Sequence, residues 1–200
     1  MPAVGSAQST IRRLCALVVA SVAATSLALA VQAAAAGAEG CAGMSAKPSG
    51  LSTNAQVQAT LCLLNHERSR RGLRPLHLNA LLTRAALGHS RDMVAHHYFS
   101  HPTPSDITPS ERVKATGYLG TARSWVIGEN LYWGILRVSS PQDAVDAWMH
   151  SPHHKENILC SRYRDIGIGI VVGAPRGSGP PAATYTTDFG AKGLMLRHGG

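Results

Sequence analysis

The sequence predicts an α+β fold in which helices pack against an antiparallel sheet. Three observations carry this. Apolar residues recur at helical spacing in the segments that follow residue 53, a period-two alternation characteristic of a strand appears only late, over residues 166–172, and no internal repeat is present.

Residues 1–36 are expected to be a cleavable secretory signal peptide. Arg12 and Arg13 form its basic start, no charged residue occurs from Leu14 to Ala38, and small residues offer cleavage after Ala33 or Ala36. Residues 37–53, rich in Gly, Ser, Pro and Ala, read as a flexible connecting arm. A Thr-x-x-Gln capping box, Thr53 to Gln56, opens a helix with Val57, Leu61 and Leu64 on one face, closed by Gly72 and Pro75. Asn79 caps a second helix with the stripe Leu82, Ala86, His89 and Met93, and Pro102 disfavours helix at His101. After a turn-like segment, Pro109 to Thr116 suggests a short third helix ending at Gly117.

Trp125 to Trp133 reads as an extended piece interrupted at Gly128-Glu129-Asn130. Pro141 to His150 is a fourth helix with Ala144, Val145, Trp148 and Met149 inward, and Ser151-Pro152 supplies the cap and first-turn proline of a short fifth helix through Leu159. Ile166, Ile168, Ile170 and Val172 alternate with Gly167, Gly169 and Val171, a buried strand whose bare face lets another backbone come close. Its partner is Ala183 to Phe189, beyond a Pro- and Gly-rich loop, and residues 191–200 form a polar tail. The domain proper is thus residues 54–190, one compact unit.

Nineteen Lys and Arg stand against 11 Asp and Glu, and loss of the leader still leaves a mildly basic chain. The densest cluster, Arg68, Arg70, Arg71 and Arg74, falls at the end of the first helix, where it suits the helix dipole without a ligand. Basic residues are not interleaved with aromatics, which argues against a nucleic-acid partner. With Cys15 removed in the leader, Cys41, Cys62 and Cys160 remain in an oxidising compartment. Cys41 with Cys62 would tie the arm to the first helix, leaving Cys160 free, buried or intermolecular.

Ten histidines are the compositional oddity, and His96, His97, His101, His150, His153 and His154 fall in two groups able to converge. The i, i+4 pairs His97/His101 and His150/His154 each need a continuous helix that Pro102 and Ser151-Pro152 break, and no His-Glu-x-x-His occurs. A Gly-x-Ser-x-Gly elbow, a phosphate-binding loop and a dinucleotide fingerprint are also absent. His89 reads as a satisfied core histidine, Trp148, Tyr185 and Phe189 as core, and Asn130 as a tie across the kink.

Five ordered motifs carry a more specific signal: His89-Ser90-Arg91-Asp92-Met93, Tyr98-Phe99-Ser100-His101, Gly128-Glu129-Asn130-Leu131, Trp148 to Leu159 around His153-His154-Lys155-Glu156-Asn157, and Thr184 to Gly190. Together, from about Leu61 to Gly190, they resemble the bacterial branch of the CAP superfamily of cysteine-rich secretory, antigen 5 and pathogenesis-related proteins. The resemblance implies an α-β-α sandwich with a central cleft, whose His and Glu residues fall on His101, Glu129 and His154. Where eukaryotic members carry a second Glu, this chain has Ser151, a departure that tells against a two-carboxylate mechanism.

The residues themselves leave three readings of the cleft open. It is a hydrogen-bonded polar cluster, a site where His101 and His154 hold zinc or another divalent cation, with His153 as a third imidazole at the rim, or a catalytic centre. The expectation is therefore a secreted or envelope-associated monomeric binding module. Its ligand would be a lipid or sterol, an envelope polymer or a host factor, and the membrane is met only through the leader. The alternatives are a metal-dependent hydrolase of peptide or wall substrates with Glu129 as general base, and a purely structural envelope protein.

Overall fold

The computed structural model describes residues 40–47, 50, 52–177 and 181–193; the expected signal peptide lies outside them. The chain divides into two units, Met1–Gly40 and Cys41–Gly200, and the described helices and strands all lie in the second. No helix among the described residues is long and apolar enough to cross a membrane.

Helix α1 runs Thr53–Ser69, followed by the two-residue strand β1 at His77–Leu78 and helix α2 at Ala80–Ala95. Helix α3 (Pro109–Ala115) precedes strand β2 (Ser124–Ile135), then come α4 (Pro141–His150), α5 (Pro152–Leu159), β3 (Asp165–Val172) and β4 (Ala182–Gly193). The strand order is β1-β3-β4-β2. The β3/β4 and β2/β4 pairs are antiparallel, as expected, and β1 adds a short parallel edge on β3 that the sequence did not announce.

The alternation in β3 sets the layering. Ile166, Ile168 and Ile170 join Tyr185 and Phe189 of β4 in the larger core, where Leu63 and Leu64 of α1 and Trp148 of α4 cover them. The opposite face of β3 is Gly167 and Gly169. A Cβ there would fall 2.1 Å from the backbone of Leu82 and 2.2 Å from that of Leu87, so the main chain of α2 lies directly on the sheet. Helices on both faces make an α-β-α sandwich. A smaller core of Leu82, Ala85, Val113, Tyr118 and Leu119 closes the α2 side.

Several expectations are corrected. The cap of α1 is Ser52, whose hydroxyl accepts from Ala55 N at 3.3 Å, one residue before the expected box. The buried face of α1 is Ala59, Leu63, Leu64 and Arg68, with Val57 and Leu61 at its margin. Arg68 is no dipole ornament: fully buried, it donates to the carbonyls of Arg74, Ile158 and Cys160 at 2.7–3.0 Å, and so ties α1 to the end of α5. Ser151 precedes α5 without a side-chain capping bond.

The expected kink at Gly128-Glu129-Asn130 is absent, because β2 pairs with β4 without a break from Ser124 opposite Gly193 to Ile135 opposite Ala182. Gly128 serves close approach instead: a Cβ would meet Tyr163 Oη at 2.4 Å and Asn157 Oδ1 at 2.6 Å. Residues 191–193, assigned to the tail, belong to β4.

The flexible arm expected over 37–53 is tied down across residues 41–47. Cys41 is buried and bonded to Cys62, as expected, Gln142 N donates to Met44 O (2.9 Å), and Ser45 Oγ donates to Gln142 Oε1 (2.9 Å). Cys160 is a half-buried free thiol.

Candidate functional site

The site grows from β2. Its side chains alternate, which turns Asn130 to the α5 side and Glu129 to the α2 side. Glu129 reaches no bulk water: its side chain is 2% exposed, with Oε1 2.8 Å from His101 Nδ1 and Oε2 2.6 Å from Arg112 Nη2. One charge-assisted bond thus falls on each of its two oxygens.

His101 is delivered by the chain leaving α2. His97 turns in the left-handed region (φ 56°), Tyr98 Oη donates to the Asp92 carboxylate, and His89 Nε2–H donates to Ser100 O at 3.0 Å. Arg112 completes the fixation from α3. Its Nη1 donates to the carbonyls of His101 and Ile107, each at 2.9 Å, while Nη2 holds Glu129. The position of α3 follows from its N-terminus, a Thr108/Glu111 capping box with Pro109 in the first turn. With Nδ1–H spent on Glu129, the half-exposed His101 ring keeps Nε2 free to meet a ligand.

His154 enters from α5. Asn130 Nδ2 donates to His154 O (3.0 Å), and Asn157 Nδ2 donates to Asn130 Oδ1 (2.9 Å) and Glu129 O (3.2 Å). The two asparagines of the Gly-Glu-Asn and Lys-Glu-Asn motifs therefore clamp α5 to the edge strand, and Asn130 ties a helix rather than a kink. Partial burial lowers the pKa of His154, and the neighbouring charges of His101 and His153 lower it further, which favours the neutral ring. The ring of His154 thus lies within electrostatic range of His101.

Three further histidines have partners or settings of their own. His89 is fully buried and its pKa is lowered, first by desolvation. His96 pairs with Asp92 at 2.8 Å, and His150 Nδ1 donates to Asp146 O at 2.7 Å.

Two residues of the site went unread in the sequence. Arg112 was one cation among many on a short helix. Asp188, directly opposite Glu129 in the β2/β4 ladder, is fully buried with no hydrogen-bond donor on either oxygen. The signal for it was present: an acid in a run of Thr, Tyr and Phe that had to be interior. Burial first, and the charge of Glu129 second, hold the Asp188 carboxyl well above the ordinary carboxylate range.

Among the described residues no three His, Cys, Asp or Glu side chains gather into a metal-binding group. Two imidazoles such as those of His101 and His154 would by themselves be an incomplete set for zinc. A groove of about 850 Å³ adjoins the site between α2, α3 and the 103–107 loop, lined among others by Ala85, His89, Ile107 and Arg112.

Comparisons with known proteins agree with this architecture. Residues 61–188 match the model of the CAP, or cysteine-rich secretory protein, family. The uncharacterized protein YkwD of Bacillus subtilis is 33% identical over 120 residues, covering 60% of this chain and 44% of its own length. An extracellular SCP-domain protein of Bacillus anthracis superposes with a TM-score of 0.54 at 25% identity, over 70% of this chain and 43% of that one. An outer surface protein of Borrelia burgdorferi shares the fold, with a TM-score of 0.59, 19% identity, and coverage of 72% and 97%. The aligned region thus spans less than half of YkwD and of the Bacillus anthracis protein. With the family's match covering most of the domain that holds His101, Glu129 and His154, the chain belongs to the CAP, or cysteine-rich secretory protein, family.

Proposed function

We propose that this chain is a secreted binding module, whose ligand is taken up at the cleft of His101 and His154 and along the adjoining groove, and that it is not a hydrolase. The observation that carries the reading is the state of Glu129. A general base must present an oxygen to an attacking water within hydrogen-bond reach. Glu129 is instead buried and bonded through both oxygens to His101 and Arg112, an arrangement that orients rings and loops. The neutral His154 ring and His101 Nε2 are what the cleft offers a ligand, as hydrogen-bonding groups or as a weak two-imidazole hold on a divalent cation.

Location outside the cytoplasm is supported by the leader-like segment at residues 1–36, by the disulfide, and by relatives described as extracellular or outer-surface proteins. The ligand class proposed is an envelope polymer or lipid.

Co-sedimentation with insoluble peptidoglycan and with phosphatidylglycerol vesicles tests the assignment, using chelated protein with and without added zinc. Binding to one of the two that weakens several-fold in His101→Ala and His154→Ala is expected. Binding that ignores both substitutions would place the ligand elsewhere.

A further inference from the structure

Beneath the cleft lies a second carboxyl, Asp188, that no ligand-facing role employs. We propose that Asp188 is a positioning residue: a neutral carboxylic acid beneath Glu129 that donates its proton in a hydrogen bond, so that the carboxylate is held by His101, Arg112 and Asp188 and carries the pair's only negative charge. This deepens the reading of Glu129 as a held group and rests on it.

Three observations converge. Glu129 and Asp188 are direct partners in the antiparallel ladder, so both side chains leave the same face of the sheet at neighbouring positions. Asp188 is fully buried and no donor reaches either oxygen. Its ladder partner Glu129 is the carboxyl beside it, two ionised carboxylates have no proton to share, and the His101 and Arg112 contacts keep Glu129 as the ionised member, which leaves the proton to Asp188.

Among the described residues, no cation makes a hydrogen bond or ion pair with Asp188. Its other ladder neighbour is Gly167, with no side chain, and over Gly167 lies the backbone of Leu82 and Thr83 from α2. From α3 comes Arg112, whose charge lowers the Asp188 pKa by less than burial and Glu129 raise it; Nη1 and Nη2 are bonded to two carbonyls and to Glu129, and the buried Nε reaches no acceptor, Asp188 included. His89 of α2 is held neutral by burial and gives its Nε2–H to Ser100 O. His101 reaches Glu129, not Asp188. An ionised Asp188 would therefore be a buried, unpaired charge beside a like charge, which proteins avoid by protonation.

The consequence is functional. A third donor under Glu129 fixes its carboxylate plane and so the orientation of the His101 ring, and it draws charge from the oxygens that a base would need.

The test is carbon-13 NMR of chelated protein with carboxyl-labelled aspartate, at pH 7. Of the six aspartates, the resonance that disappears in Asp188→Asn is expected at the protonated position, and to stay there across the neutral range. A resonance at the ionised position overturns the proposal.

Should Asp188→Asn not fold, the wild-type spectrum alone decides, through the presence or absence of one protonated aspartate at pH 7. As a second readout, Asp188→Asn, which keeps a neutral donor, should retain the wild-type ligand affinity, and Asp188→Ala should lose several-fold. Equal loss in both overturns the positioning role. A peptidase or wall-hydrolase activity that depends on Glu129 would sink the binding reading while leaving the Asp188 resonance where it is, so the two failures are distinguishable.

Discussion

At the scale of single residues, the site is a set of buried polar groups whose partners are nearly all accounted for, and removing one partner should matter more than removing the pair. Arg112→Leu leaves Glu129 buried without its cation and frees the carbonyls of His101 and Ile107. A loss of about 3–5 kcal/mol is expected, read from urea unfolding.

The buried titrating groups give opposite pH signatures. His89 and His154 have folded pKa values below their unfolded ones, so their contribution is complete above about pH 6.5 and is lost as pH falls below it. His89→Gln, which can still donate to Ser100 O, should flatten the fall of the melting temperature between about pH 6.5 and 5.

Asp188 has a raised folded pKa, so its contribution is complete below about pH 4 and is lost as pH rises from there. Asp188→Asn should accordingly melt above wild type at pH 7, with the gap closing towards pH 4. Motif residues could be nominated at this scale because the order of the motifs is specific: the resemblance to the CAP superfamily implied His101, Glu129 and His154. Arg112 and Asp188 could not, since their role depends on a ladder register and a helix placement that no local pattern encodes.

At the scale of elements, the geometry of the cleft is a matter of two close approaches. The first is α2 on the bare face of β3. Gly167→Ala and Gly169→Ala would each drive a methyl into the α2 backbone, and a loss of about 3 kcal/mol or more in unfolding free energy is expected for either. The second is α5 on the edge strand, clamped by Asn130 and Asn157. Asn157→Ala should cost about 1–3 kcal/mol and should also move the His154 ring, visible as a shifted imidazole resonance.

Helix α2 and strand β3 were readable because Asn79, the apolar stripe and the Ile/Gly alternation are each local and mutually consistent. Strand β2 was misread at its centre. Gly128 suggested a bend when taken alone, and only the nearness of Tyr163 and Asn157 shows that the glycine makes room. The edge strand β1 was unreadable at two residues, too short for any periodicity.

At the scale of the whole molecule, the chain is a sandwich whose N-terminal arm is fastened by Cys41–Cys62 across 21 residues of sequence. Closing a loop of that length stabilises the fold by about 3 kcal/mol, chiefly by limiting the unfolded chain. The Cys41→Ser/Cys62→Ser double variant should lose that amount in urea unfolding, and His101 and Glu129 should keep their contact because neither lies on the arm.

The overall class was legible because helical and strand patterns are segregated along the chain. What was not legible is how the layers converge on the middle of β2, and that convergence turns scattered motif residues into a cleft. Whether Glu129 is a fastened structural carboxylate in a binding cleft is tested most directly by comparing wild type with folded Glu129→Gln on peptidoglycan and a peptide library, with and without zinc, and identifying products by mass spectrometry. The same absence of cleavage products is expected for both proteins; products formed by wild type and lost in Glu129→Gln would contradict that role.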